Sequence, residues 1–285
     1  FRAIVKAAQV QHIKMHCEST LLQPGSGHSI TKRDQKTMPL ELVTIPCLSD
    51  NYAYLLHDSD SGATALIDAP DAPPILAGLR ARNWPLTDVW LTHHHWDHVD
   101  GLPALMQAIP DLRIWGAAAD AHRLPRLDLA LRDGDRPEFA GHEVQIFDVS
   151  GHTLGHIAFH VPNAGLAFTA DSLMAMGCGR LSEGTPEMMW QSLSKLAALP
   201  DDTLICSGHE YTAANMRFAL ALEPDNQTLR SREASIKTAR DAGLPTVPST
   251  LGLERATNPF LRALGMADAD DVAVFAETRA RKDKF

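Results

Sequence analysis

The sequence predicts an α/β protein in which layered β-sheets carry helices on their outer faces, followed by a helical C-terminal part. Three observations support this prediction. Between Met38 and about residue 209, short β-rich runs alternate with the turn residues Gly, Pro and Asp. Helical stretches separate some of these runs. After residue 210 the β-rich runs stop and helical periodicity replaces them.

The predicted elements follow in chain order. The strands are ELVTIP (41–46), YAYLLHD (52–58), TALIDAP (64–70), DVWLTH (88–93), LRIWGA (112–117), EVQIFDVS (143–150), HIAFHVP (156–162), GLAFTAD (165–171) and TLICSGHE (203–210). One helix is predicted at 73–82, and another begins after Thr185, a capping residue, with Pro186 at its first position. Further helices are predicted at 212–222, 227–242 and 268–282. Residues 244–262 contain three prolines, which predict a wrapped loop with at most one short helix.

Composition limits the class of protein. The 285 residues are 45% apolar and 21% charged, and no apolar stretch is long enough to span a bilayer. The four cysteines form no C-x-x-C pair, so neither a disulfide framework nor a thiolate zinc site is indicated. We therefore expect a reducing compartment, and the cytoplasm is the predicted location.

Residues 1–37 differ from the rest of the chain. They carry six Lys and Arg against two acidic residues, a net charge of +4, whereas the remaining residues carry −13. Because the segment has no clear periodicity, we expect an extension outside the fold, disordered or of artificial or upstream origin. A cationic organellar targeting peptide is the alternative. Residues 38–209 and 210–285 are then expected to form two domains.

Metal-binding side chains are concentrated at the ends of predicted strands. The stretch LTHHHWDHVDG (91–101) places four histidines and two acids that could bind metal directly after an apolar run. Imidazole and carboxylate groups on short spacers suit a first-row metal ion. Three other runs, IFDVSGH, LAFTAD and LICSGH, also end in small residues followed by a donor, because small residues let the backbone approach a shared centre. The donors are His93, His95, Asp97, His98, His152, Asp171 and His209.

Seven donors are too many for one tetrahedral ion, and two ions fit better. If Asp171 bridges, one ion takes the first two histidines and His152, while the other takes Asp97, His98 and His209. Two ions roughly 3.5–4 Å apart can lower the pKa of a shared water, so that hydroxide is present at neutral pH. No nucleophilic side chain is then required, and the sequence has no G-x-S-x-G motif. Zinc is the predicted metal, although a site without thiolates also accepts iron or manganese.

The motif THHHWDH, with GHT, FTADS and SGHEYT downstream, resembles the T-H-x-H-x-D-H pattern of the metallo-β-lactamase superfamily. The match extends from about Met38 to the C-terminus. It is closer to one member family, glyoxalase II or hydroxyacylglutathione hydrolase, whose markers are GCGRLSEGT (177–185), GHEYT (208–212), NPFLR (258–262) and RARKDKF (279–285). The resemblance implies an αββα sandwich (38–209) as catalytic domain and a helical substrate-binding domain (210–285). It also implies two metal ions and hydrolysis of S-D-lactoylglutathione to D-lactate and glutathione, the second step of methylglyoxal detoxification.

The same resemblance assigns the seven donors as metal ligands, and Arg180, Tyr211, Arg279 and Lys282 to glutathione binding. Arg180 replaces the lysine of other members, which keeps the charge but changes its geometry. Ser182 stands where some members have an aromatic residue, which puts a stacking or hydroxyl contact to the peptide in doubt. Independently, Arg279 and Lys282 lie three residues apart on a predicted helix and can meet carboxylates together. A solvated helix end is the alternative.

Five residues near the donors are predicted to support rather than carry the chemistry. His94 should point away from the donors in an extended chain. His156 and His160 are expected to be strand histidines with satisfied hydrogen bonds. Asp68 is expected to brace a neighbouring loop, with a catalytic role as the alternative. Cys178 is not expected to be a nucleophile, because no base is placed to activate it.

Other functions are open on the same fold, namely a single-iron persulfide dioxygenase, a lactone hydrolase and an RNA phosphodiesterase. The charge of −13 and the lack of a basic arm argue against a nucleic-acid partner. A dioxygenase would leave donors unused. A non-catalytic glutathione- or metal-binding module would be favoured only by a lost ligand position, and all seven are present. The predicted partner is therefore a small molecule, a glutathione thioester, without nucleic acid or membrane.

Overall fold

Two mixed β-sheets pack face to face in the computed structural model, which describes residues 12–13, 39–261 and 270–285. The strands of the first sheet are β1 (His12–Ile13), β2 (Leu40–Cys47), β3 (Asn51–Asp58), β4 (Thr64–Ile67), β5 (Asp88–Trp90), β6 (Arg113–Ala117) and β7 (Leu129–Leu131). The first four pair antiparallel, and β4 to β7 pair parallel. The parallel connections contain α1 (Ala72–Arg82), α2 (Trp96–Val99) and α3 (Leu102–Ala108). The ends of β4 and β5 therefore lie at the same sheet edge.

The second sheet follows a small hairpin of β8 (Glu138–Phe139) and β9 (His142–Glu143). The later strands are β10 (Gln145–Asp148), β11 (Ile157–Val161), β12 (Leu166–Ala170), β13 (Leu173–Met174), β14 (Gly177–Cys178), β15 (Leu204–Ser207) and β16 (Ser249–Thr250). The sheet order is β10-β11-β12-β15-β16, and β13 and β14 form a separate hairpin. The helices are α4 (Pro186–Ala197), α5 (Thr212–Leu222), α6 (Gln227–Asp241), α7 (Leu251–Thr257) and α8 (Asp271–Asp283). Short 3-10 turns cover Ala118–Asp120 and Pro162–Ala164.

Alternation along the strands buries both faces of each sheet. Leu42 faces the space between the sheets, whereas its neighbour Val43 packs under α1 and α3. Between the sheets, the Trp90 ring lies 5.2 Å from Phe159 and 6.2 Å from Phe168. Each fully buried phenylalanine stabilises the fold by roughly 1.5–3 kcal/mol. On the far face, α4, α5 and α8 cover the second sheet through a third apolar cluster, so the predicted αββα layering is confirmed.

The predicted helix boundaries agree closely with the structure. Thr185 accepts a hydrogen bond from the backbone N–H of Met188 and so caps α4, with Pro186 at its first position. The described C-terminal helices α5, α6 and α8 correspond to the three predicted ones, although residues 268–269 of the last prediction lie outside the described residues. No helix in the described ranges has the length and apolarity that a membrane span needs.

Two predictions about strands are wrong in part. The segment 1–37 was expected outside the fold, yet His12–Ile13 pair with β2; its other residues lie outside the described ranges. An edge strand has unpaired backbone groups that can bond any extended segment. No strand was expected after residue 210, yet Ser249–Thr250 extends the second sheet beside β15 for the same reason. The helices α2 and α3 were not predicted either.

Candidate active site

All seven predicted donors converge at one end of the sandwich. His93 follows β5, His152 follows β10, Asp171 follows β12 and His209 follows β15. The chain turns into α2 directly after His95, and this turn brings Asp97 and His98 back towards the same point. The approach requires glycine before His209, because a Cβ at Gly208 would lie 2.6 Å from Asp171 Oδ1. The expected use of small residues before the donors therefore has a steric cause at this position.

The donor atoms form two groups that share no residue, and a third group of His93, His98 and Asp171 overlaps both. In the first, Nδ1 of His95 lies 3.1 Å from Nε2 of His93 and 3.0 Å from Nε2 of His152. In the second, Oδ2 of Asp97 lies 3.9 Å from Nε2 of His98 and 3.5 Å from Nε2 of His209. Ligand atoms of each group lie within 4.8 Å of one another, as metal coordination requires. Distances of this size leave room for an ion at the centre of each group.

Asp171 lies between the two groups. Its Oδ2 is 3.5 Å from Nε2 of His152 in the first group and 3.2 Å from Nε2 of His209 in the second. Its Oδ1 is 3.6 Å from Nε2 of His98. Both Oδ1 of Asp171 and Nε2 of His98 are buried without a hydrogen-bond partner among the described residues. Buried polar atoms are costly when unpaired, and a cation would satisfy both, so these residues fit a metal ion.

The outer nitrogens of three donor histidines contact fixed acceptors. Nδ1 of His98 lies 2.8 Å from Oδ2 of Asp68, and Nδ1 of His209 lies 2.9 Å from Oδ1 of Asp50. Nδ1 of His152 lies 2.8 Å from the carbonyl of Arg180. A ring that donates through Nδ1 presents the lone pair of Nε2 to the centre. These acceptors therefore set both the orientation and the tautomer that metal binding needs.

Asp68 braces the donor loop, as predicted. Its Oδ1 accepts the backbone N–H of Thr92, and its Oδ2 accepts the hydroxyl of Thr92 as well as the His98 contact. The residue is almost fully buried and its φ is +56°, an uncommon value for a side chain other than glycine. Local strain of this kind persists only where surrounding contacts determine it. The carboxylate therefore holds Thr92 and His98 in place.

Around the Asp171 carboxylate, the pKa shifts of the donor histidines have opposite directions. Although burial opposes it, Asp171 raises the pKa of His98 and His209 above the usual value. Burial, with the neighbouring histidines, holds the pKa of His93 well below its usual value. Although burial opposes it, the cationic forms of His98 and His209 hold the pKa of Asp171 well below its ordinary range. Asp171 is therefore a carboxylate at neutral pH, and its negative charge favours a bound cation.

The histidines that were not expected to bind metal lie around the centre. His94 points away from the donors, and its Nδ1 is 3.0 Å from Oδ2 of Asp120, as predicted. His160 contacts Oε1 of Gln145 at 3.2 Å. His156 precedes β11, and its ring stacks on His93 at 4.6 Å. Its Nδ1 has a contact, but Nε2 has none among the described residues, so the prediction of full satisfaction is wrong for that atom.

A pocket of about 590 Å³ opens from the metal donors towards the C-terminal helices. All four residues assigned to glutathione lie in its wall, namely Arg180, Tyr211, Arg279 and Lys282. Ser182 also lines it. The ring of Tyr211 stacks on His209 with centroids 4.6 Å apart, which places it beside the metal donors. The pocket therefore has carboxylate and imidazole groups at one end and cations at the other.

Lys282 and Arg279 differ in how far their donor groups are already bonded within the protein. Nζ of Lys282 lies over the rings of Phe218 and Phe285, at 5.1 and 5.6 Å, and donates to the carbonyl of Ala214. Burial, and then the charges of Arg279, Arg217 and Arg180, lowers the pKa of Lys282 to about 8. Arg279 is buried and donates to the carbonyl of Cys178 and to Asp283. Because these N–H groups already have partners, Arg279 contributes mainly positive charge to the pocket rather than free hydrogen-bond donors.

Sequence reasoning missed several supporting residues. Asp50 orients His209, and Nδ2 of Asn51 donates to the carbonyl and Oδ2 of Asp97 at 3.0 and 3.1 Å. The charge of Arg217 acts on Lys282. Asp50 lies in the turn between β2 and β3, and Asn51 is the first residue of β3; neither follows a spacing rule that links it to the donors. Cys178 lies in the pocket wall, and burial raises its pKa to about 11, which agrees with the prediction that it is not a nucleophile.

Comparison with known proteins gives two family matches. Residues 49–209 match the metallo-β-lactamase superfamily, and residues 210–285 match the hydroxyacylglutathione hydrolase C-terminus. Among curated proteins, the hydroxyacylglutathione hydrolase of Ruegeria pomeroyi is 64% identical and covers 87% of this chain and 100% of its own length. That of Roseobacter denitrificans is 60% identical with the same coverage.

Solved structures agree with the fold. ETHE1 from Myxococcus xanthus has a TM-score of 0.63 at 21% identity, covering 84% of this chain and 89% of its own. A protein solved in a di-iron-bound form has a TM-score of 0.53 at 27% identity, covering 77% of this chain and 99% of its own. The first of these likenesses concerns the fold alone. The second belongs to a protein that holds two metal ions.

Proposed function

As the chain belongs to the hydroxyacylglutathione hydrolase family of the metallo-β-lactamase superfamily, we propose that it hydrolyses S-D-lactoylglutathione, and other S-2-hydroxyacylglutathiones, to glutathione and the free hydroxy acid. It is a metal-dependent thioester hydrolase. The observation that supports the substrate best is a single pocket whose wall contains five of the seven metal donors together with Arg180, Arg279 and Lys282. Glutathione has carboxylates that such cations can bind.

We propose that two divalent ions bind, one in each donor group, with Asp171 between them. Zinc is the favoured metal, and iron or manganese would also suit imidazole and carboxylate ligands without a thiolate. The two donor groups and the di-iron relative support this number. When bound, the ions would supply an activated water for attack on the thioester carbonyl and positive charge for its oxygen.

The protein's own residues would then divide into two tasks. Asp68 and Asp50 hold His98 and His209 so that their Nε2 atoms face the centre. Arg180, Tyr211, Arg279 and Lys282 would bind the glutathione portion and so orient the acyl carbon. The departing thiolate is a good leaving group, so no side-chain acid is required to protonate it.

The division of the chain follows this partition. We propose that residues 38–209 form the catalytic domain and residues 210–285 the helical substrate-binding domain, since the donors belong to the first and Tyr211, Arg279 and Lys282 to the second. A cytoplasmic location is also proposed, supported by the three buried, unpaired cysteines of the described chain. A nucleic-acid or membrane partner is not proposed.

The function is tested by following loss of the thioester of S-D-lactoylglutathione, together with the metal content of the same sample. We expect hydrolysis that a chelator abolishes and that added zinc, iron or manganese restores. Glutathione persulfide and an acyl-homoserine lactone serve as the comparison substrates. Turnover of either in preference to the thioester would contradict the proposal.

The substitution Lys282→Ala is expected to raise KM for S-D-lactoylglutathione roughly 10- to 100-fold, the loss of a charge-assisted hydrogen bond of about 1.5–3 kcal/mol. We expect kcat to change far less, because the contact is similar in ground and transition states. Steady-state kinetics would measure both. Lys284→Ala is the control, since this cation is exposed two residues further along. An equal defect with a small thioester that lacks the peptide would contradict the assignment.

Lys282 also predicts a pH dependence. Its lowered pKa of about 8 means that the ammonium form is present below that value and is lost as the pH rises through it. We therefore expect kcat/KM, which reports the free enzyme, to fall above pH 8 while kcat stays level. In Lys282→Arg the cation persists at all these pH values, so the decline should disappear. A decline that persists in Lys282→Arg would assign it to another group.

A further inference from the structure

The NPFLR marker near the C-terminus contains a buried asparagine that contacts the catalytic domain. Asn258 is 0% exposed, and its Nδ2 donates to the carbonyls of Met174 and Gly177, both at 3.0 Å. Its Oδ1 accepts the backbone N–H of Phe260. Met174 and Gly177 are the two ends of the turn that joins β13 to β14. One side chain from the C-terminal part therefore closes this turn from outside.

Two further side chains bind the middle of the same turn. Nδ2 of Asn215, from α5, donates to the carbonyl of Ala175 at 3.0 Å. Oε2 of Glu254, from α7, accepts the backbone N–H of Met176 at 2.7 Å. Met176 has a φ of +51°, which a side chain other than glycine rarely adopts. The turn thus owes its conformation to three side chains of the C-terminal part.

Glu254 is held by a buried ion pair. It is 0% exposed, and its Oε1 lies 2.5 Å from Nη2 of Arg232 and from the hydroxyl of Ser249. Desolvating two charges costs about as much as their attraction returns, so such pairs contribute little net stability. They do specify geometry, because any other arrangement leaves a charge buried and unpaired. The pair therefore favours one position of the Glu254 carboxylate, and with it one position of the Met176 N–H.

The hairpin joins the two parts of the active site. Asp171 lies two residues before β13, and Arg180 lies two residues after β14. The backbone N–H of Gly179 donates to the carbonyl of Ser172 and closes the hairpin at its base. A Cβ at Gly179 would lie 2.0 Å from the carbonyl oxygen of Asp171, so the two backbone segments at the base of the hairpin are in direct contact. A shift of the turn would consequently tilt the segment that leads to Arg180 and redirect its side chain, whereas Asp171 is anchored by the pairing of β12 and the Arg180 carbonyl by Nδ1 of His152.

We propose that Asn258, Asn215 and Glu254 are positioning residues that set Arg180 for the glutathione portion of the substrate. The inference rests on the proposed function, because it assumes that Arg180 meets that portion. It gives the C-terminal part a second role besides supplying its own pocket residues. It also accounts for the asparagine of NPFLR, which is neither a metal donor nor a residue of the pocket wall and reaches that wall only through the Met174 carbonyl.

The test uses Asn258→Ala in the full-length, metal-loaded protein. We expect the Kd for glutathione, measured by titration calorimetry, and KM for S-D-lactoylglutathione to rise on the order of 10-fold, as for a small misplacement of a binding group. Metal content and turnover of a small thioester without the peptide should stay near the wild-type values. Asn226→Ala is the matched control, because Asn226 caps α6 and makes comparable bonds without touching the hairpin.

A double-mutant cycle with Arg180→Ala separates positioning from general weakening. If Asn258 acts through Arg180, Asn258→Ala should add little to the Kd in the Arg180→Ala background. An additive effect, an unchanged Kd, or an equal loss in Asn226→Ala would overturn the inference. If Asn258→Ala does not fold, Asn258→Ser, which loses the Nδ2 donor but keeps a hydroxyl in the site, decides by the same measurements. The proposed function fails separately, if the metal-loaded wild type does not hydrolyse the thioester.

Discussion

Asp171→Ala is expected to lose ions from both donor groups and to lower kcat/KM for S-D-lactoylglutathione by at least roughly 1,000-fold, as for removal of one member of a unit that acts together. The reason is geometric. Its Oδ2 lies within 3.5 Å of donors from each group, His152 and His209. It is also the buried carboxylate between the groups, so two ions would repel one another without its charge.

Elemental analysis of the purified variant gives the metal content, and circular dichroism establishes that it is folded. Asp58→Ala serves as the control, because Asp58 is a buried acid at the end of β3 that accepts hydrogen bonds from Ser61 and lies apart from the donors. We expect the control to lose stability and to keep its metal. Two tightly bound ions in Asp171→Ala would show that this carboxylate is not shared.

Asp68→Asn is expected to lower metal affinity or activity roughly 10- to 100-fold, the usual effect of removing the acceptor behind a metal-binding histidine. The carboxylate accepts from Nδ1 of His98 and from two groups of Thr92. An amide has one acceptor oxygen and one donor NH2 group, so that NH2 group would face a donor of either His98 or Thr92. His98 then loses the contact that presents Nε2 to the second donor group.

Metal affinity is measured by competition with a chromophoric chelator, group by group if the two ions differ in affinity. Asp88→Asn is the control, since Asp88 is equally buried at the opposite end of β5, where it pairs with Arg113. Loss of stability with normal metal affinity is expected there. If Asp68→Asn binds metal as tightly as the wild type, the Asp68 contact is structural and does not orient His98 for metal.

The convergence of the seven donors could be predicted from the sequence because they lie at or shortly after strand ends, and strand ends are local features. Gly208 shows what such local features do not predict. The sequence has a small residue before His209, and the structure shows why. A Cβ there would lie 2.6 Å from Oδ1 of Asp171. That contact joins two chain segments far apart in sequence.

The C-terminal helix α5 begins and ends where the sequence predicts, because Pro224 follows it and cannot continue a helix. The helices α2 and α3 were missed for the opposite reason. α2 has only four residues, two of which are donors, so it is too short to show an apolar periodicity. Its existence depends on the turn after His95, which the convergence of the donors requires.

The sequence by itself determined the α/β layering and where the seven donors stand along the chain, and its resemblance to a family pointed to the four pocket residues, because residue type, periodicity and a specific motif are properties of neighbouring positions. Only the tertiary structure decided which atoms hold those residues in place. Asp50 meets His209 across 159 positions, and Asn258 meets Met174 across 84. Such contacts carry no spacing signal, since they form only when folding removes water from both partners and leaves each polar group to find its partner in space.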